Sequence, residues 1–117
     1  MVDRERRREL REEFERIRPE AGVYLIRNGK SGRALLGSTR NLAALRNRVD
    51  FARRTGMHSA LDLRLREETA RDGIDAFSLE VLEILEVTPE MTETQMLADL
   101  GALEELWRER LDPETLY

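Results

Sequence analysis

The chain has 117 residues, of which 40% are hydrophobic and 38% charged, with a net charge of −4. That length suits one domain with a single core, and the absence of cysteine excludes a disulfide framework, a thiolate metal site and a cysteine nucleophile. No apolar run approaches the roughly 20 residues of a membrane helix, and the charged N-terminus is not followed by the hydrophobic segment of a signal peptide, so a cytoplasmic protein with no membrane partner is expected.

Asp3 is placed to cap a charged helix running to about Arg18, where Pro19 stops it. Leu10, Phe14 and Ile17 form a narrow apolar stripe on that helix, and Glu12 and Arg16 have the supportive i,i+4 spacing. The stripe suits packing on the remainder of the chain, pairing with a second subunit as a homodimer, or contact with nucleic acid. Residues 1–19 thus read as an N-terminal helix, followed by a compact domain over residues 20–117.

Gly22 to Arg27 mixes β-branched and aromatic residues and predicts a strand. Asn28 to Gly32 supplies two glycines and an asparagine for a tight turn, and Ala34 to Leu36 closes a hairpin. Asn41 can cap a helix from Leu42 to about Arg54. At about 100° per residue, Leu42, Leu45, Val49 and Ala52 share one face, with Arg46 and Arg53 on one flank and Arg48 on the other. Gly56 ends this helix. His58 or Ser59 begins the next, expected to run to about Arg71 with Leu61 and Leu65 inward, before Asp72-Gly73 terminates it.

Between Ala76 and Glu86, Phe77, Leu79 and Val81 alternate with Ser78 and Glu80 as in a half-buried strand, and the alternation is lost beyond Val81. Thr92 and Gln95 have the spacing of a capping box, which predicts a last helix from about Glu93 to Leu111, stopped by Asp112-Pro113. The expected fold class is α+β: a small three-stranded antiparallel sheet flanked by helices, with an extra N-terminal helix.

On the last helix, Met96, Leu100, Leu103, Trp107 and Leu111 form the apolar face, and Glu104 falls within it while Glu105 points to solvent. A carboxylate at the edge of a core needs a cation or a metal ion, so Glu104 either binds a metal or pairs with an arginine such as Arg46 or Arg53. Tyr24 alternates to the opposite side of its strand from Val23 and Leu25. Ser38 to Asn41, at a helix start, can bind phosphate through backbone amides.

Gly22-Val23-Tyr24, the turn at Asn28-Gly29-Lys30, Leu35-Leu36-Gly37-Ser38, the segment from His58, the strand from Phe77, and Leu103-Glu104-Glu105-Leu106-Trp107 together resemble the GIY-YIG nuclease superfamily in order and spacing, over about residues 20 to 112. The resemblance implies the same sheet-and-helix fold and a divalent-metal-dependent DNA endonuclease. It implies Mg²⁺ or Mn²⁺ held by Glu104, and Tyr24 beside the water that attacks phosphate. His58 matches a histidine found in parts of the family, although a lone histidine at a helix start also serves as a cap or a surface residue.

Departures from the family's pattern fall together. Its second Tyr falls on Leu35, its catalytic Arg on Leu45 and a following His on Val49. Arg46 is one residue from the Arg position but about 100° round the helix. Leucine neither donates nor accepts a proton, and an arginine that stabilises transition-state charge is worth orders of magnitude in rate. The expectation is therefore a nuclease-type fold with a weakened or lost active site.

Charge bears on what remains. Residues 1–54 hold 15 Arg and Lys against 8 Asp and Glu, or +7, whereas residues 55–117 hold 5 against 16, or −11. Nineteen of the twenty basic residues are arginine, the side chain suited to bidentate phosphate contacts. Arg40, Arg46, Arg48, Arg53 and Arg54 are accordingly the expected contacts to DNA or RNA, unless they simply pair with acids on solvated helices. Two alternatives stand beside this reading: a working divergent endonuclease using Tyr24, Arg46 and Glu104, and a protein-interaction module suggested by the acidic C-terminal half.

Overall fold

A computed structural model describes residues 4–9, 19–57 and 60–117. Residues 4–9 are helical and exposed (α1). The cap at Asp3, the stripe of Leu10, Phe14 and Ile17, and the start of a helix at His58 or Ser59 lie outside the described residues. The sheet is antiparallel, with strands β1 (Gly22–Asn28), β2 (Ala34–Thr39) and β3 (Phe77–Ile84) in the order β2-β1-β3. Helices α2 (Leu42–Thr55), α3 (Arg66–Asp72) and α4 (Glu93–Arg110) flank it. The α+β architecture expected from the sequence is the one observed.

Turn chemistry closes the hairpin as the sequence suggests. Gly32 takes the left-handed conformation at φ 78°, its amide bonds to the Asn28 carbonyl at 2.8 Å, and the Asn28 side chain accepts the Lys30 amide at 2.9 Å. β2 is longer than expected because pairing continues past Leu36 to Thr39, opposite Gly22. Of the four glycines of this hairpin, the two in its strands lie where side chains do not fit. A Cβ on Gly37 would lie 2.6 Å from the hydroxyl of Tyr24, its cross-strand partner, and one on Gly22 would lie 2.4 Å from the Glu83 carbonyl oxygen.

Alternation sorts the sheet into two faces. Tyr24, Ile26 and Leu35 face α2 and α3 and form one core with Leu42, Leu45, Val49, Ala52, Leu61, Leu65 and Phe77. Val23, Leu25, Ala34 and Leu36 face the other way, against Leu103, Trp107 and Leu111 of the α4 side. The lost alternation in β3 has a physical cause: Val23 pairs with Glu83 but Tyr24 with Val81, so Leu82 is the extra residue of a bulge. Leu82 and Glu83 consequently serve the same face, Leu82 packing beside Trp107 and Glu83 accepting the Trp107 indole N–H at 2.9 Å.

The helix expected from His58 to Arg71 is shorter. Asp62 accepts the Arg64 amide at 2.8 Å and starts a 3-10 turn, Leu63–Leu65, so α3 begins only at Arg66; Leu61 and Leu65 are nevertheless buried as expected. Both caps proposed for the other helices are present: Asn41 accepts the Ala44 amide, and Thr92 and Gln95 exchange bonds at 2.9 and 3.1 Å. At the C-terminus, Leu116 bridges to Ala34, and the Tyr117 amide bonds to the Ala34 carbonyl at 2.9 Å, covering the outer edge of β2.

Candidate functional site

Tyr24 sits at the centre of the α2 face, 4% exposed, with its ring over Gly37. Around it, the two positions where the resemblance implies a second tyrosine and an arginine are core: Leu35 and Leu45 are 6% and 3% exposed. Val49, at the histidine position, is also buried. Burial pushes the Tyr24 phenol above its ordinary pKa; the positive charges of Arg64 and Arg48 oppose this and Asp62 reinforces it. The group is therefore a neutral phenol at physiological pH.

Arg64 was not among the residues singled out from sequence. It chelates Asp62 through Nε at 3.1 Å and Nη2 at 3.0 Å. Partial burial of Asp62 disfavours its charge, but the side-chain and backbone bonds from Arg64 outweigh that and hold the carboxyl below its usual pKa. The signal for this unit was an Asp two residues before an Arg after the helix-ending Gly56, which is cap chemistry.

Arg46 and Arg48 separate, as their angular positions on α2 dictate. Arg46 lines a hollow of about 350 Å³ toward β3, with Glu20, Leu42, Val81 and Ile84. Arg48 lines one of about 260 Å³ on the other flank, with Ala60, Leu61, Asp62 and Leu63. It is thus Arg48 rather than Arg46 whose charge reaches Tyr24. Arg53 and Arg54 are exposed in the last turn of α2, and Arg40 is exposed but ion-paired with Glu93. His58 lies outside the described residues.

Glu104 belongs to the other side of the sheet. Its helix packs on the Val23 and Leu25 face, so the sheet stands between it and Tyr24. The carboxylate is half-buried, as its place on the helix wheel implied, and its partner is Arg108, one turn on, at 3.2 Å rather than Arg46 or Arg53. Arg108 also approaches Glu105, at 3.5 Å. A cation thus already faces the carboxylate, and among the described residues no three His, Asp or Glu side chains come together. The set Tyr24, Arg46 and Glu104 is not brought into one site.

The start of α2 is likewise occupied. Asn41 takes the Ala44 amide at 2.9 Å and the Glu20 carbonyl takes the Leu42 amide at 2.8 Å, leaving little for a phosphate at Ser38 to Asn41. No protein family, curated protein or solved structure matches the chain.

Proposed function

We propose that this chain binds nucleic acid through phosphate contacts from α2, on a GIY-YIG-like arrangement without a competent phosphodiesterase centre. One observation carries the reading. Arg27, Arg40, Arg64, Arg71 and Arg108 each have an ion-paired acid, whereas among the described residues Arg46, Arg48, Arg53 and Arg54 of α2 have no ion pair, the charge of Arg48 acting on Asp62 only through space. Arg33, Arg66 and Arg110 also have no ion pair among the described residues, Arg33 and Arg110 lying over Tyr117 and Trp107, but each stands singly, whereas α2 gathers four on one helix. With Asp50 as its sole acid, α2 carries a net charge of +3. Exposed guanidinium groups of this kind gain most from an anionic polymer whose phosphates recur along its length.

The order of strands and helices agrees with what the resemblance implies, and the separation of Glu104 from Tyr24 argues against hydrolysis through a Glu-held metal. The test is fluorescence anisotropy with labelled DNA between low and physiological salt. Four contacts give a slope of log affinity against log salt of about −3 to −4 on duplex, and each of Arg48→Gln and Arg53→Gln lowers its magnitude by about 1. Affinity independent of salt would refute the reading. Plasmid incubated with Mg²⁺ or Mn²⁺ should stay intact; cleavage abolished by Glu104→Ala would refute the second half.

A further inference from the structure

Phe51 is 41% exposed, on the side of α2 turned away from its core stripe. The Arg54 guanidinium carbon lies 6.0 Å from the centre of its ring. Arg48 stands one turn earlier on the same flank, and the hollow it lines includes Leu63, which is 72% exposed. Isolated exposed aromatics are common and need no explanation. This one differs because it lies between two of the arginines that have no ion pair among the described residues.

A partly exposed phenyl ring with a guanidinium over it and a second arginine one turn away matches the two chemical surfaces of a nucleotide. The flat apolar ring accepts a base by stacking, and the guanidinium groups take the phosphates on either side. Arg48 and Arg54 are six residues apart, about 9 Å along the helix axis, so their long side chains straddle the ring. A base inside a duplex is already stacked and paired and cannot lie on Phe51 without leaving the helix. We infer that the preferred ligand of this surface is single-stranded nucleic acid, with one unpaired base stacked on Phe51 and the adjoining phosphates at Arg48 and Arg54. This rests on the nucleic-acid reading of α2 and adds the strand form and the residue that selects it.

The experiment compares labelled oligothymidine with a matched DNA duplex, each at low and at physiological salt, using the full chain and the variants Phe51→Ala and Phe51→Tyr. Single strand should bind more tightly than duplex. Loss of one stacked base weakens binding by about 5- to 100-fold, so Phe51→Ala should lose that much on oligothymidine and less than about 2-fold on duplex, while Phe51→Tyr keeps the parent affinity. Unchanged circular dichroism would show that the variants fold. Equal loss on both ligands, or no loss on either, overturns the inference and leaves salt-dependent binding by α2 standing. Failure of the parent to bind either ligand with a salt dependence overturns both. In Phe51→Trp, quenching on oligothymidine beyond that of the parent's Trp107 supports stacking, and its absence in a variant that still binds opposes it.

Discussion

Replacing Gly37 with alanine tests whether the glycine in Leu35-Leu36-Gly37 is there to make room for Tyr24. The new Cβ would fall 2.6 Å from the Tyr24 hydroxyl oxygen and 2.7 Å from Cζ, where ordinary contacts begin at 3.4 Å. The ring would have to retreat by about 0.8 Å, and it is 4% exposed in a core with Ile26, Leu35 and Leu45 behind it. Overpacking of this kind costs about 1–3 kcal/mol. Gly37 is not left-handed, so alanine recovers about 0.5–1 kcal/mol of chain entropy, leaving a net loss of about 1–2 kcal/mol. For a domain of this size that is a fall in Tm of about 4–10 °C.

Thermal and urea unfolding of Gly37→Ala, Tyr24→Leu and the double variant would measure the coupling directly. With the ring gone, alanine at position 37 should cost nothing. Tyr24→Phe removes the oxygen but leaves Cζ in place, so the cost of Gly37→Ala should persist in that background. A Gly37→Ala protein as stable as the parent, or one whose loss is the same when Tyr24 is leucine, would refute the explanation.

Gly22→Ala should be worse than Gly37→Ala, because the atom it meets at 2.4 Å is the Glu83 carbonyl of the β3 bulge rather than a side chain; unfolding free energies that rank the two the other way would refute this. Asp62 has a folded pKa below its unfolded value, so its stabilising contribution is present above about pH 4 and is lost as pH falls through the lower folded value; Asp62→Asn should flatten the acid limb of the stability profile. Tyr24 is the opposite case. Its folded pKa is raised, so its contribution is present below about pH 10 and is lost as pH rises through the folded value. An ultraviolet phenolate titration should show a late step that Tyr24→Phe removes and that Arg64→Gln moves still higher. Asn28, fully buried, bonds to Asp72 at 2.6 Å, to Tyr117 at 3.1 Å and to the Lys30 amide, so Asn28→Ala should lose about 1–3 kcal/mol in urea unfolding.

Period and turn chemistry made most of this fold legible. The stripe Leu42, Leu45, Val49 and Ala52 is buried as its spacing demands, and the caps at Asn41 and Thr92 are where a short polar side chain precedes an apolar repeat. What could not be read was non-local. Nothing in the run Leu82-Glu83-Ile84 shows that one residue is extra opposite Val23, since a bulge is defined by the partner strand. Asp62 looked like part of a helix because its capping bond to Arg64 and a helical turn use the same residue types. For the site, the part that depended on one element was legible: the angular split of Arg46 from Arg48 follows from α2 alone. The grouping of Tyr24 with Glu104 required knowing on which side of the sheet α4 packs, and one-letter spacing carries no such information.

That partition of the sheet also decides where function is best sought. A phosphodiesterase centre at Tyr24 would need a group to take a proton and a cation to receive phosphate charge. The phenol itself is held neutral by burial, so it is a poor base near pH 7. Asp62, the carboxylate whose charge reaches the phenol, is already bonded to Arg64, and two nitrogens of Arg64 are in turn taken by Asp62. Leu35 and Leu45 fill the space where further polar groups would stand, and they are part of a core in which no polar side-chain atom is left unpaired among the described residues. Asp62 and Arg64 on this face are thus bonded to each other, whereas the exposed Arg46, Arg48, Arg53 and Arg54 of α2 have no ion pair among the described residues. On the reading proposed above, the chemistry left over is binding, and it falls to the exposed guanidinium groups of Arg46, Arg48, Arg53 and Arg54 rather than to the tyrosine beneath them.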